Sequence, residues 1–422
     1  MIIDTFPSIM KYAQKTAIIA LLGLIISCSQ ETSTTSQSSE PEALNTQIEA
    51  LKNAAGFDKR EDVFEYQLDT TAENKVLFTV LTTHPGLYEK AVELAREKRF
   101  SKSEIITLPD DPQLQATPYG VVSQSVANMR VGQSRAKGMA TQTLMGQELK
   151  LLQVDEDGFW HQVRSAQGYI AWIPKPSFEY LTQAQADSLR ALPKVMVTAH
   201  TTFAYEPDNK KRVVTDLVYG NVLTLIKKGR KYTEVMIPGG RSALVKSSEV
   251  QSLDDWQQQA KFDEAHLIDF AYNFNGQPYL WGGNSMKGVD CSGFSGAVYY
   301  SMGMFLPRDA SQQVKQGDDV PYTVKAVEVN GTSYQTMETD ELKVGDLLFF
   351  GNKDKGSVTH VGIWIGNDEF IHSSGRVHVT SVDPTRDNYE DNYVERLVGV
   401  KRIHGSNNLD KTTDLTKTNI WY

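Results

Sequence analysis

Cysteine occurs only twice in the 422 residues, at positions 28 and 291, and the setting of the first removes any disulfide from the fold. Lys11 and Lys15 precede an uninterrupted apolar run, residues 17–26, that ends at Ser27-Cys28. The run has the length and flanks of an export signal and is too short to span a bilayer permanently. Such a chain reaches a compartment where disulfides are permitted, yet Cys291 has no second cysteine within the folded part. Its domains are therefore expected to hold together without a disulfide, and the remaining thiol is either buried and inert or kept for its chemistry.

The stretch Leu24-Ile25-Ile26-Ser27-Cys28 resembles the lipobox of bacterial lipoproteins. The resemblance implies that residues 1–27 are a signal peptide removed before Cys28, whose thiol carries a diacylglycerol anchor to a membrane of the cell envelope. Ser29 at the next position is compatible with the outer membrane. Residues 28–45 are rich in Ser, Thr, Gln and Glu and are expected to form a disordered tether. A formal charge of −9 argues against nucleic acid as a partner.

Nearly 380 residues follow the tether, too many for one core, so several domains are expected. Residues 46–115 read as a small α+β lead segment, with a β-branched strand at 75–82 and a helix opened by Pro85. From 116 to 185, short apolar runs alternate with turns such as Asp155-Glu156-Asp157-Gly158 and Ser165-Ala166-Gln167-Gly168, the rhythm of a small β-barrel. A second copy is expected at 193–253, because the pattern from Leu144 to Leu152 returns from Val218 to Ile226. "SVANMRVGQS" and "DGFWHQV…QGYIAWIP" in the first copy resemble bacterial Src-homology-3-like modules. Trp160, Tyr169 and Trp172 are then barrel-core aromatics by default. Residues 254–404 change to helix, helix and strands, and 405–422 read as a loose polar tail.

Cys291 lies in "GVDCSGFSGAVYY". Asp290 is a good N-cap, so Cys291 falls in the first turn of a helix, where unpaired N–H groups and the positive end of the helix dipole favour a thiolate and can receive an oxyanion. Gly293 and Gly296 are poor helix formers, which implies close packing on their face. A base is supplied by "THVGIWIGNDEFIH", where strand alternation sets His360, Gly362 and Trp364 on one side and Asn367-Asp368-Glu369 makes a turn. With an even pairing register His372 stands opposite Gly362 or Trp364, so both histidines share a face as base and orienting group. His378 is a weaker rival. No motif calls for a cofactor or a metal: Gly282-Gly283 lacks the Lys-Ser/Thr of a phosphate loop.

"YLWGGNSMKGVDCSGF", "LPRDASQQ", "LKVGDLLFF" and "THVGIWIGNDEFIHSS" resemble the successive motifs of the NlpC-type cysteine peptidases, papain-like cell-wall hydrolases of bacteria. The resemblance implies an α+β architecture, with a papain-like catalytic domain at 254–404 behind the two small barrels. It also implies Cys291 as nucleophile, His360 as general base and His372 as orienter, acting on the γ-D-glutamyl-L-diamino-acid bond of peptidoglycan stem peptides. The order of modules is similar to the YkfC-like branch, whose members need a free N-terminal L-Ala. On that likeness Tyr279, Trp281, Asp290, Ser292 and Ser311 line the substrate subsites and Tyr169 reaches the amino end. The acidic residue that related chains carry near Gly138 is absent, which leaves Asp290 with Tyr169 or Trp281 to receive an ammonium group. The alternatives are an amidase cutting between sugar and L-Ala, and an inactive cell-wall binding lipoprotein.

Overall fold

The computed structural model describes residues 39–70, 76–98 and 100–416; the signal segment and Cys28 lie outside them. The chain divides into two compact units, residues 1–107 with 154–159, and residues 108–153 with 160–422. Among the described residues no helix is long and apolar enough to cross a membrane.

In the first unit, strands Phe64–Thr70 and Val76–Thr82 pair antiparallel, and Lys102–Thr107 joins Val76–Thr82 in parallel. The parallel connection is made by helix Pro85–Lys98, the crossover such a pairing requires. Pro85 opens that helix with its φ already set, and the ring Nδ1 of His84 caps it by accepting from the Leu87 N–H at 3.1 Å. Leu87, Ala91 and Leu94 then bury one helix face against Phe78 and Val80. Helix Ser39–Ala54 completes this core with Leu44 and Ile48. It corrects the expected tether: two apolar residues one turn apart give residues 39–45 a face to bury, so order begins before position 46.

The second unit begins before position 116, since the short helix Pro112–Ala116 belongs to it. Seven strands between Tyr119 and Leu181 form its first sheet, and seven between Lys194 and Ser252 its second. Neither closes into the expected barrel. In the first sheet the end strands are Phe178–Leu181 and Met139–Leu144. The latter is met instead by Asn284 and Ser285, which bond Gln142 through Asn284 N–H to Oε1 (3.1 Å), Asn284 Nδ2 to the carbonyl (3.2 Å) and Ser285 Oγ to Oε1 (2.9 Å). A sheet edge covered by another domain needs no partner strand.

The two sheets dock through their equivalent turns. Gly146 and Gly220 both have positive φ, and a Cβ on Gly146 would stand 1.9 Å from the Val222 carbonyl oxygen. Gly220 meets the ring of Tyr300 in the same way, at 2.7 Å.

The third module is a six-stranded antiparallel sheet containing Leu397–Arg402, Leu347–Asn352, Ser357–Gly366, Glu369–Ser374 and Arg376–Ser381 in that spatial order. Alternation divides its side chains. Val361 and Ile363 join Phe294 and Val298 of helix Cys291–Tyr300 in one core, while Phe350, Trp364 and Phe370 join Tyr393 in the other. The tail is not loose as far as residue 416. Thr413–Asp414 pairs with Met304–Phe305, and Leu415 is fully buried in the catalytic core, a single apolar side chain sufficient to hold a polar segment down.

Candidate active site

Asp290 does cap the helix of Cys291, accepting from the Gly293 N–H at 2.7 Å. A Cβ on Gly293 would come within 1.9 Å of the Gly283 carbonyl oxygen, so only glycine lets the loop lie against the first turn. Gly296 differs from expectation. Nothing presses on it, and it borders a small cavity with Ala297 and Tyr300.

The Asp290 carboxylate also accepts from the Gly282 N–H (2.9 Å), from Arg308 Nη1 (3.0 Å) and from Arg308 Nη2 (2.6 Å). Arg308 is buried and further donates to Ser292 Oγ (3.0 Å) and to Thr141 Oγ1 of the first sheet (3.0 Å). The charge of Asp290 is thus matched within the protein by a bidentate guanidinium, and the carboxylate organises the loop and helix. The sequence reading missed Arg308. Its one signal was a lone arginine inside an otherwise buried motif, "LPRDASQQ".

Cys291 is buried. Backbone N–H groups of Val361 and Ser292 donate to its sulfur, which places it against the strand of His360. Burial, then the neighbouring Asp290 charge, pushes the thiol up to about 11. Burial likewise pulls the His360 imidazole down to about 4 and His372 well below its usual value. The resting site therefore holds a neutral thiol and neutral imidazoles. The helix terminus was expected to favour the thiolate, but desolvation outweighs it.

Strand pairing sets His372 opposite Gly362. Asn367 and Asp368, both at positive φ, make a two-residue turn between Gly366 and Glu369, and a β-bulge between Trp364 and Gly366 shifts the ladder by one residue so that His372 faces Gly362. A Cβ on Gly362 would lie 2.6 Å from the Phe370 ring and 3.3 Å from the His372 Cβ, so the glycine makes room for Phe370 packed beside the second histidine. His360 Nε2 lies 2.8 Å from His372 Nδ1, which leaves Nδ1 of His360 as the nitrogen that can take the thiol proton. Tyr393 lies against both rings, tilted to His360 and edge-on to His372, at centroid distances of 5.6 and 4.7 Å. Tyr393 is itself buried, and nothing in its local sequence announced it.

The remaining candidates divide. Tyr279 is half-buried, and burial first, then the neighbouring Cys291 and Asp290 groups, push its hydroxyl up, keeping it a proton donor near the sulfur. Tyr169 is half-buried rather than a core aromatic and interacts with Arg308. Ser292 is spent on Asp290 and Arg308. Trp281 is 71 % exposed, and Ser311 is half-buried on the short helix Ala310–Gln313. His378 stands beside His372, and with Glu390 they place three ligand atoms within 4.8 Å of one another, a set that could hold a metal. Thr380 Oγ1, however, already occupies His372 Nε2 at 3.0 Å.

A buried thiol at a helix start, set against a histidine on an antiparallel strand with a second polar ring behind it, has the organisation of a papain-like cysteine hydrolase. Comparison with known proteins agrees. Residues 276–402 match the NlpC/P60 family and residues 129–177 the bacterial dipeptidyl-peptidase Sh3 domain. A γ-D-glutamyl-L-lysine dipeptidyl-peptidase of Bacillus cereus is 30 % identical over 64 % of this chain and 76 % of its own length. Its Bacillus subtilis counterpart is 30 % identical over 64 % and 87 %. A solved NlpC/P60 family protein from Bacillus cereus superposes with a TM-score of 0.56 at 24 % identity, covering 68 % of this chain and 99 % of that one, and so shares the fold. The chain belongs to the NlpC/P60 family. It is a cysteine peptidase, related to the endopeptidases of peptidoglycan.

Proposed function

We propose that the protein cleaves the γ-D-glutamyl-L-diamino-acid bond of peptidoglycan stem peptides, releasing L-Ala-γ-D-Glu from a free amino end. We further propose that it works in the bacterial cell envelope on a lipid anchor at Cys28. The observation that carries the first reading is the junction of the first sheet with the nucleophile loop. Gln167 donates to the Leu306 carbonyl, Thr141 accepts from Arg308, and Tyr169 interacts with Arg308. A wall on one side of the sulfur suits an enzyme that counts two residues from a chain end, as the Bacillus dipeptidyl-peptidases do by name. The anchor rests on the sequence before and at Cys28.

The chemistry follows from the geometry. As Cys291 Sγ attacks the γ-carbonyl carbon, its proton passes to His360 Nδ1. The carbonyl oxygen becomes an oxyanion beside the first-turn N–H of Cys291 and the Tyr279 hydroxyl. His360 then returns the proton to the leaving amine of the diamino acid; water, deprotonated by the same nitrogen, hydrolyses the thioester, and that proton passes to the departing Cys291 sulfur. Because thiol and imidazole start neutral, charge is created only in the transition state.

Incubation with L-Ala-γ-D-Glu-diaminopimelate should yield L-Ala-γ-D-Glu by mass spectrometry. An N-acetylated peptide should be cut much more slowly, and muramoyl-L-alanine linkages should stay intact. Release of free muramoyl sugar instead would make the protein an amidase. Retention of the chain in the detergent phase, lost in Cys28→Ala, tests the anchor.

A further inference from the structure

Behind the two histidines the hydrogen bonds continue. His372 Nε2 lies 3.0 Å from Thr380 Oγ1, and the Thr380 hydroxyl donates to Glu390 Oε1 at 3.3 Å. His372 and Thr380 are fully buried. Glu390 is held in place from a second side by His378, whose Nε2 is 3.1 Å from the same oxygen. His378 Nδ1 faces the Arg376 carbonyl at 3.0 Å, so this ring donates to both acceptors only when doubly protonated.

We propose that Thr380 and Glu390 are positioning residues that fix the tautomers of the histidine pair, and through them select Nδ1 of His360 as the catalytic base. Every other member of the line can donate or accept, but an ionised carboxylate only accepts. The direction of the whole line is therefore set at its outer end. Thr380 gives its hydrogen to Glu390 and offers its lone pairs to His372, which must then carry its hydrogen on Nε2. A neutral His372 thus presents a bare Nδ1, which accepts Nε2–H from His360. His360 is left with an unprotonated Nδ1, the only form that can take the Cys291 proton. With the line reversed, His360 Nδ1 carries a hydrogen and the site is inactive. During attack the thiol proton moves to His360 Nδ1 alone, and nothing is transferred to Thr380 or Glu390.

The same cluster argues that the arrangement is more than packing. Valine would fill the Thr380 site equally well but cannot pass the direction on, whereas serine can. Glutamine at 390 offers both a donor and an acceptor, so it leaves both directions open.

The test is independent of which peptide bond the enzyme prefers, because it reads Cys291 directly. Alkylation of Cys291 by iodoacetamide at pH 7, followed by mass spectrometry of its peptide, should slow about tenfold in Thr380→Val, the size of loss when an outer orienting partner is removed. It should stay near wild type in Thr380→Ser, and fall about twofold in Glu390→Gln if the two directions become equal. Ring ¹⁵N shifts of labelled protein should show His360 protonated at Nε2 in the wild type and partly at Nδ1 in Thr380→Val, with an unchanged melting temperature. An unchanged alkylation rate in Thr380→Val, a loss shared by Thr380→Ser, or wild-type His360 shifts in Thr380→Val would overturn the proposal. If Thr380→Val does not fold, Glu390→Gln at the solvent-facing end decides: wild-type rate and shifts there refute it.

Discussion

His360 and His372 meet across a strand pair with 2.8 Å between Nε2 of one and Nδ1 of the other, and Gly362 stands directly opposite His372. The two rings have unequal duties. One exchanges protons with the substrate and the other holds it.

That inequality predicts unequal losses. His360→Asn removes the base and should leave less than about a thousandth of wild-type kcat, as should Cys291→Ala. His372→Asn keeps a polar partner for Nε2 and should lose about ten- to a hundredfold. Single-turnover kinetics on the tripeptide compare them, and equal losses would erase the assignment of roles.

The neutral resting pair predicts the pH response. His360 is held down to about 4, so the base form is present throughout the weakly acidic range, and kcat/KM should stay level from neutrality to about pH 5. Stability should behave differently. The unfolded chain binds protons at these histidines near pH 6.5, whereas the folded chain does so only below that, so ΔG of unfolding should fall as pH drops from about 6.5 toward 4. Melting curves across that window should flatten in the His372→Asn variant, which has one buried imidazole fewer.

Arg308 and Asp290 form a buried, bidentate ion pair that joins the nucleophile helix, the Gly282 loop and the first sheet. Arg308→Met should cost about 3–5 kcal/mol, because it strands a buried carboxylate. Adding Asp290→Asn, which keeps an N-cap but removes the charge, should recover part of that loss. Urea unfolding of the single and double variants measures both.

Tyr169 tests the wall. A half-buried side chain near Arg308 should contribute little to melting temperature, but Tyr169→Ala should raise KM for a free-amine peptide by roughly tenfold, within the range of an ammonium–aromatic contact. The N-acetylated peptide should be unaffected. A large fall in melting temperature with equal KM changes for both peptides would return Tyr169 to the barrel core.

What the sequence determined by itself was local. The N-cap at Asp290, the alternation of residues 359–366 and the turn at Asn367-Asp368 each depend on neighbours a few positions away, so the helix start and the hairpin were legible before any folding, whereas the register left open between Gly362 and Trp364 was set by the bulge after Trp364. The 74-residue repeat likewise exposed the paired sheets. Tertiary structure decided what depends on burial and on partners far along the chain. Arg308 pairs with the Asp290 carboxylate, and desolvation leaves Cys291 a thiol where the helix end alone favours a thiolate. Asn284 and Ser285, far along the chain, cover the edge strand of the first sheet. Tyr393, Thr380 and Glu390 reach the histidines only because the strand Arg376–Ser381 and the segment after it fold back over them. Hydrogen bonds within a turn are fixed by chain geometry, whereas the charge on a buried group is fixed by everything packed around it, and no window of sequence contains that set.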